Sequence, residues 1–208
     1  MNKKLFKNKY RISSTRLKNW DYRNNGAYFI TICTKDRIHF FGAIKNGKMQ
    51  LSEIGKLAHH FWAEITQHFP FIQLDAFIIM PNHTHGILII KNQDIKNKDM
   101  NDQDLNDPAQ TLQCNVSTSI GESKGESKGE STSPSSDINS KMKIISPKAG
   151  SISTIIRSYK SVTTKNARKI NPHFEWQSKF HDHIIKDDRA HLNIRNYIKN
   201  NPKNWKED

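Results

Sequence analysis

Two histidines one residue apart, His83 and His85, lie in the run MPNHTHGILII from Met80 to Ile90. In a β-strand, positions i and i+2 project from the same face. Both imidazoles would then stand side by side, within reach of one metal ion. Two histidine ligands leave room for a third protein donor, water and substrate, which a catalytic site needs and a closed structural site does not. Two half-buried histidines in ordinary hydrogen bonds would look the same. The chain has ten histidines, and a second pair occurs at His181 and His183. Far downstream, Ala190, Ile194 and Ile198 mark the buried stripe of a helix. Tyr197 and Asn201 fall within this stripe and, four residues apart, stack as neighbours. A buried phenol and carboxamide are costly unless satisfied. Either they hydrogen-bond to a neighbouring element, or they belong to a site. In the second case Asn201 offers a hard oxygen to a metal beside His83 and His85, and Tyr197 presents its hydroxyl to whatever the metal polarises.

These residues must be positioned by elements that the sequence marks out. Ala27 to Thr34 is rich in aromatic and β-branched residues and reads as a strand. Asn46-Gly47 marks a hairpin turn. Ser52 caps a helix running to about Phe69, with Ile54, Leu57, Ala58, Phe61 and Ile65 at helical spacing. Phe71 to Met80 and His83 to Ile90 read as two strands, antiparallel across the Pro81-Asn82 break. Ile152, Ile155, Ile156, Tyr159 and Val162 repeat as a helix over 151–168. Phe180 to Ile185 reads as a short strand, and Asp187 or Asp188 caps a last helix that ends before Pro202. The order predicts an α+β fold, a ferredoxin-like split βαβ palm. Its antiparallel sheet carries helices on one face, leaving the other for a substrate, and the last helix is added at the C-terminal end.

Composition narrows the partner. The 208 residues suit one domain with additions, and the apolar share is 35%. The stretch 92–148 is polar, poor in aromatics and contains the repeat GESKGESKGES; it is expected to be a disordered insertion. Residues 1–24 form a basic arm, and 25–91 with 149–208 form the single domain. The chain carries 33 Lys and Arg against 20 Asp and Glu; the insertion takes seven Lys and nine acids, so the rest holds 26 against 11, a net +15. So basic a body attracts polyanions, nucleic acid first among them. On the 151–168 helix, Arg157, Lys160, Lys165 and Arg168 suit contacts to a DNA backbone, or simply a solvated face. Cys33 and Cys114 suggest no disulfide framework or zinc knuckle. No apolar leader or membrane-length run is found, so a cytoplasmic protein without a membrane partner is expected.

The run MPNHTHGILII resembles the HUH motif (His, hydrophobe, His) of single-tyrosine transposases, and more closely the REP-associated tyrosine transposases, which share the insertion-sequence-200-like domain. NGAYFITICTKDR from Asn25 is similar to that family's first strand. WQSKFHDHIIKDD from Trp176 is similar to the stretch before its catalytic helix, and NYIKNNP from Asn196 to the helix itself. The resemblance covers about 20–91 and 150–205. It implies that His83 and His85 ligate Mg2+ or Mn2+, that Asn201 is the third ligand, and that Tyr197 is the nucleophile. It also implies cleavage and rejoining of single-stranded or hairpin DNA through a 5′-phosphotyrosine link. Thr84 departs from the motif's hydrophobe, and the long insertion is a second departure. Tyr159, between Arg157 and Lys160, is the rival nucleophile. Monomer and homodimer both fit the sequence; the choice decides whether Tyr197 serves its own metal site or a partner's. Two other classes compete. One is a metal-dependent hydrolase with His83, His85, His181 and His183 as ligands; the other is a non-catalytic nucleic-acid-binding module.

Overall fold

The computed structural model describes residues 16, 17, 20–91 and 148–205. The basic arm up to residue 15 and the polar insertion from 92 to 147 lie outside the described residues. Among the described residues six strands form: β1 (Gly26–Cys33), β2 (Gly42–Lys45), β3 (Lys48–Leu51), β4 (Ile72–Met80), β5 (His83–Ile90) and β6 (His181–Ile185). Four helices accompany them: α1 (Glu53–Ala63), α2 (Ile65–His68), α3 (Ile152–Ile170) and α4 (Asp188–Asn200). The four long strands make one sheet in the order β4-β5-β1-β6, and β2-β3 is a separate hairpin. All pairings are antiparallel. This is the split βαβ arrangement: β1 and β4 run parallel with β5 between them.

Local chemistry sets the element ends. Asn46 and Gly47 take φ of 51° and 69°, the left-handed pair that a tight hairpin turn requires. Ser52, Ser151 and Asp187 each accept a hydrogen bond from a backbone N–H in the first turn of α1, α3 and α4; the first and last of these caps are the ones the sequence marks. The helix predicted over 52–69 is instead broken in two at Glu64, whose ψ of −8° opens the helical ladder for one residue.

The sheet has two unlike faces. Tyr28, Ile30, Ile32 and Leu88 point to one face and are fully buried under α1 and α3, with Phe61, Trp62, Ile155, Ile156 and Tyr159. Phe29, Ile87 and Ile185 point to the other, where α4 lies across them through Ile198, Ile194 and Ala190. The second face is therefore partly covered, not left open as the sequence suggested. α4 is amphipathic, and Ile87 beneath it has no access to solvent.

Gly86 lets the main core close under the histidine strand. A Cβ there would stand 2.3 Å from Trp62 Cζ2 and 2.8 Å from Cε2. The Trp62 indole is fully buried and cannot swing away, so an added methyl overpacks the core. Gly86→Ala is expected to destabilise the fold by about 1–3 kcal/mol, read as a lower urea midpoint at unchanged m-value.

Candidate active site

His83 and His85 leave β5 on the α4 side, as their alternation requires, and their ring centroids are 4.4 Å apart. Each ring is fixed by its Nδ1. His83 Nδ1 donates to Asn82 Oδ1 at 2.7 Å. His85 Nδ1 pairs with Thr31 Oγ1, its cross-strand neighbour, at 2.9 Å. With the protons on Nδ1, both Nε2 atoms keep lone pairs, the arrangement by which neighbouring groups orient metal-binding histidines. The two residues are 7% and 6% exposed. Burial pushes the His83 imidazole down to about 4, helped by the nearby Arg37 charge. Burial, with His83 and His181, pushes His85 down to about 3. Both are thus neutral near pH 7, the form that binds a metal.

The end of the chain wraps around this pair. Tyr197 Oη lies 3.3 Å from His85 Nε2, and its ring meets Phe29 edge-on. Trp205 lies over the His83 ring at 5.8 Å and against His39 at the same distance. Asn201 is strung midway between these two contacts, four residues from each, at the start of a 3-10 turn (Asn201–Asn204). It is 9% exposed. Tyr197 is 50% exposed, so it is not inside the stripe as the sequence predicts. It sits on the flank of α4, where the hydroxyl turns onto His85 and the other side of the ring meets solvent.

Among the described residues no three His, Cys, Asp or Glu side chains form a metal-binding group. The four-histidine site is therefore not assembled. His181 faces Thr31 from the far side of β1, two strand spacings from His85, or about 9–10 Å. His183 lies opposite Phe29 instead. The two imidazole nitrogens on one face could serve an open site for a divalent ion, with places left for a third donor and for substrate oxygens.

Tyr159, the rival nucleophile, is in the core. It is 2% exposed, its hydroxyl donates to Ala58 O at 3.2 Å, and burial raises its pKa. Of the four cations named on α3, Lys160 donates to Gln177 O at 2.6 Å and Arg168 to Phe174 O at 3.1 Å. Arg157 and Lys165 are exposed. All four line a groove of ≈ 670 Å³ between α3 and residues 175–180. The groove wall joins the sheet where Gln177 N donates to Cys33 O, and Cys33 is the register partner of His83. Trp176 donates from Nε1 to Lys160 O and packs on Phe41, Phe174 and Tyr159, so it is half-buried against the core and also lines the groove.

Three contributors escape the sequence reading. Arg37 brings its guanidinium near His83 from a turn in which Asp36 and Arg37 take φ of 51° and 54°, a strained conformation that nothing in KDR announces. Thr31 can be found only from the β1–β5 register. Trp205 follows Pro202, beyond the point where the helical period ends.

A Haemophilus influenzae protein bearing the description "uncharacterized protein" is 35% identical over 196 residues, covering 94% of this chain and 90% of that one. The chain belongs to the same family as this Haemophilus protein. No family model matches it. Among solved structures, a REP-associated tyrosine transposase bound to a REP hairpin superposes with a TM-score of 0.50 at 14% identity. The match covers 93% of this chain and 74% of that one. At that identity it is the fold that the two share. Among the described residues, no helix is long and apolar enough to cross a membrane.

The depressed histidines make stability pH-dependent. In the folded state both stay neutral down to about pH 4 and 3, while unfolded histidines take up protons below about 6.5. Their contribution is complete above about pH 6.5 and is lost progressively as pH falls from there to the folded values. In chelator, unfolding free energy should drop by on the order of 2–4 kcal/mol between pH 7 and pH 5. Urea titrations should show a flatter dependence for the variant His83→Asn/His85→Asn.

Proposed function

We propose that this chain is a metal-dependent DNA transposase, cutting single-stranded or hairpin DNA and rejoining it through Tyr197. The observation that carries the reading is the 3.3 Å approach of the Tyr197 hydroxyl to His85. It sets a nucleophile beside two neutral imidazoles, from residues 112 apart in sequence. His83, His85 and Asn201 would hold Mg2+ or Mn2+. That ion supplies charge neutralisation at the scissile phosphate. The side chains do the rest. Nδ1 contacts from Asn82 and Thr31 hold the imidazoles in place. Arg37 offers a cation to a phosphate oxygen. Tyr197 Oη attacks phosphorus, a Tyr Oη–P bond forms, and the P–O3′ bond breaks. The phenol proton is lost and the departing 3′ oxygen gains one, so a 3′-hydroxyl leaves and the 5′ end stays on the protein. A new 3′-hydroxyl reverses the step on another strand, which conserves the bond and needs no nucleotide cofactor.

The basic groove on α3 would carry the DNA backbone toward the same end of the sheet, with Arg157 and Lys165 nearest solvent. The fold shared with a hairpin-bound transposase supports this class of partner. As a homodimer the chain could exchange α4 between copies; the Tyr197–His85 contact within one copy favours action in cis.

Incubation with a pool of hairpin-bearing single strands and Mn2+ should give a protein–DNA adduct that survives denaturing electrophoresis. Tyr197→Phe should reduce it at least about a thousandfold. Tyr159→Phe should keep it and cost about 1 kcal/mol of stability through the lost hydrogen bond. A hydrolase would still cut the DNA without Tyr197, and a binding module would form no adduct at all; either result refutes the transposase reading.

A further inference from the structure

α4 carries Tyr197, yet it is held lightly. Of its thirteen residues only Ile198 is buried, with Ala190 and Ile194 packed alongside. Its strongest polar tie lies at Asp75. His191 Nε2 donates to Asp75 Oδ2 at 2.6 Å, and Arg195 Nε forms an ion pair with Asp75 Oδ1 at 3.2 Å. One carboxylate thus binds two residues spaced i and i+4 on the same helix face. The Asp75 side chain is 17% exposed, so this pair is better shielded than a surface ion pair.

Asp75 points at α4 because β4 is irregular there. The register between β4 and β5 shifts between Leu74 and Phe77, leaving Asp75 and Ala76 out of the ladder. A bulge of this kind re-aims side chains and is costly to the sheet, so it is expected where it serves a site. On the helix, each residue advances about 100°. Ile194 and Ile198 face the sheet; His191 and Arg195 lie on one flank, and Tyr197, about 120° from His191, lies on the other.

An apolar stripe two isoleucines wide resists separation from the sheet but resists rolling poorly. A fixed point on one flank sets the roll, and the roll sets the other flank. We propose that Asp75 is a positioning residue, gripping His191 and Arg195 to fix the roll of α4 and so to hold the Tyr197 hydroxyl over His85. Its catalytic meaning rests on the reading of Tyr197 as the attacking group; the clamp itself does not.

Hydrogen–deuterium exchange on the full chain tests the clamp. In Asp75→Ala, amides of 188–200 should exchange at least tenfold faster, while those of β5 and α3 stay within twofold of wild type. The rate of adduct formation at saturating hairpin DNA and Mn2+ should fall at least tenfold with DNA affinity within twofold, and Asp75→Glu should recover most of it. Arg195→Gln removes half of the grip at an exposed position and should show the same local pattern if Asp75→Ala does not fold. Unchanged exchange in α4 overturns the clamp. So does a uniform rise across sheet and helices; faster exchange in α4 with an unaltered adduct rate overturns the positioning of Tyr197 by the clamp. If the wild-type chain forms no adduct with any hairpin, the transposase reading falls alone, and the exchange pattern still decides the clamp.

Discussion

The register of β5 against β1 is the constraint on which the molecule turns. β5 is covered on both faces, so each of its residues is committed to one of two environments. Thr84, Gly86 and Leu88 go to the main core, while His83, His85 and Ile87 go to the face under α4. A slip of one residue would drive two imidazoles among Trp62 and Tyr159 and expose Leu88 on the site face. The Trp62 ring pressed on Gly86 helps forbid that slip, because only a residue without a side chain fits above it. Tight apolar packing on one face thus fixes the placement of polar chemistry on the other.

The polar side of the sheet follows a different logic. Its apolar contacts are few, so orientation there depends on directional bonds. Asn82 and Thr31 set the imidazole rings, Asp75 ties the helix, and Trp205 closes over His83. All but the Asn82–His83 bond join elements distant in sequence. The low dielectric around the buried histidines strengthens their hydrogen bonds and also keeps them uncharged.

Much of this was legible in the sequence, for identifiable reasons. Period-2 and helical patterns mark every long element, and Ser52, Asp187 and Asn46-Gly47 mark several of their ends, because caps and turns are local chemistry. Tyr159 shares the helical period of Ile155, Ile156 and Val162, but only its full burial in the folded chain sets it aside as the rival nucleophile. The helical wheel was less reliable for Tyr197. It treats a stripe as evenly buried, whereas a sheet covers a helix only along the line of contact and leaves the flank of the stripe half-open. The β4 bulge, the left-handed pair Asp36 and Arg37, and the turn that brings Trp205 to His83 have no local signature. They arise from tertiary packing, which overrides intrinsic preference.

The separation of the two halves of the site also imposes an order in time. Chains emerge and fold from the N-terminal side first. The strand bearing the imidazoles is made long before α4, since His85 and Tyr197 are 112 residues apart. A nascent chain can therefore pair β1 with β5 and align both rings while the phenol does not yet exist. The histidine pair stands without its phenol neighbour throughout synthesis, and the contact of Tyr197 with His85 forms only when the helix that carries the hydroxyl docks.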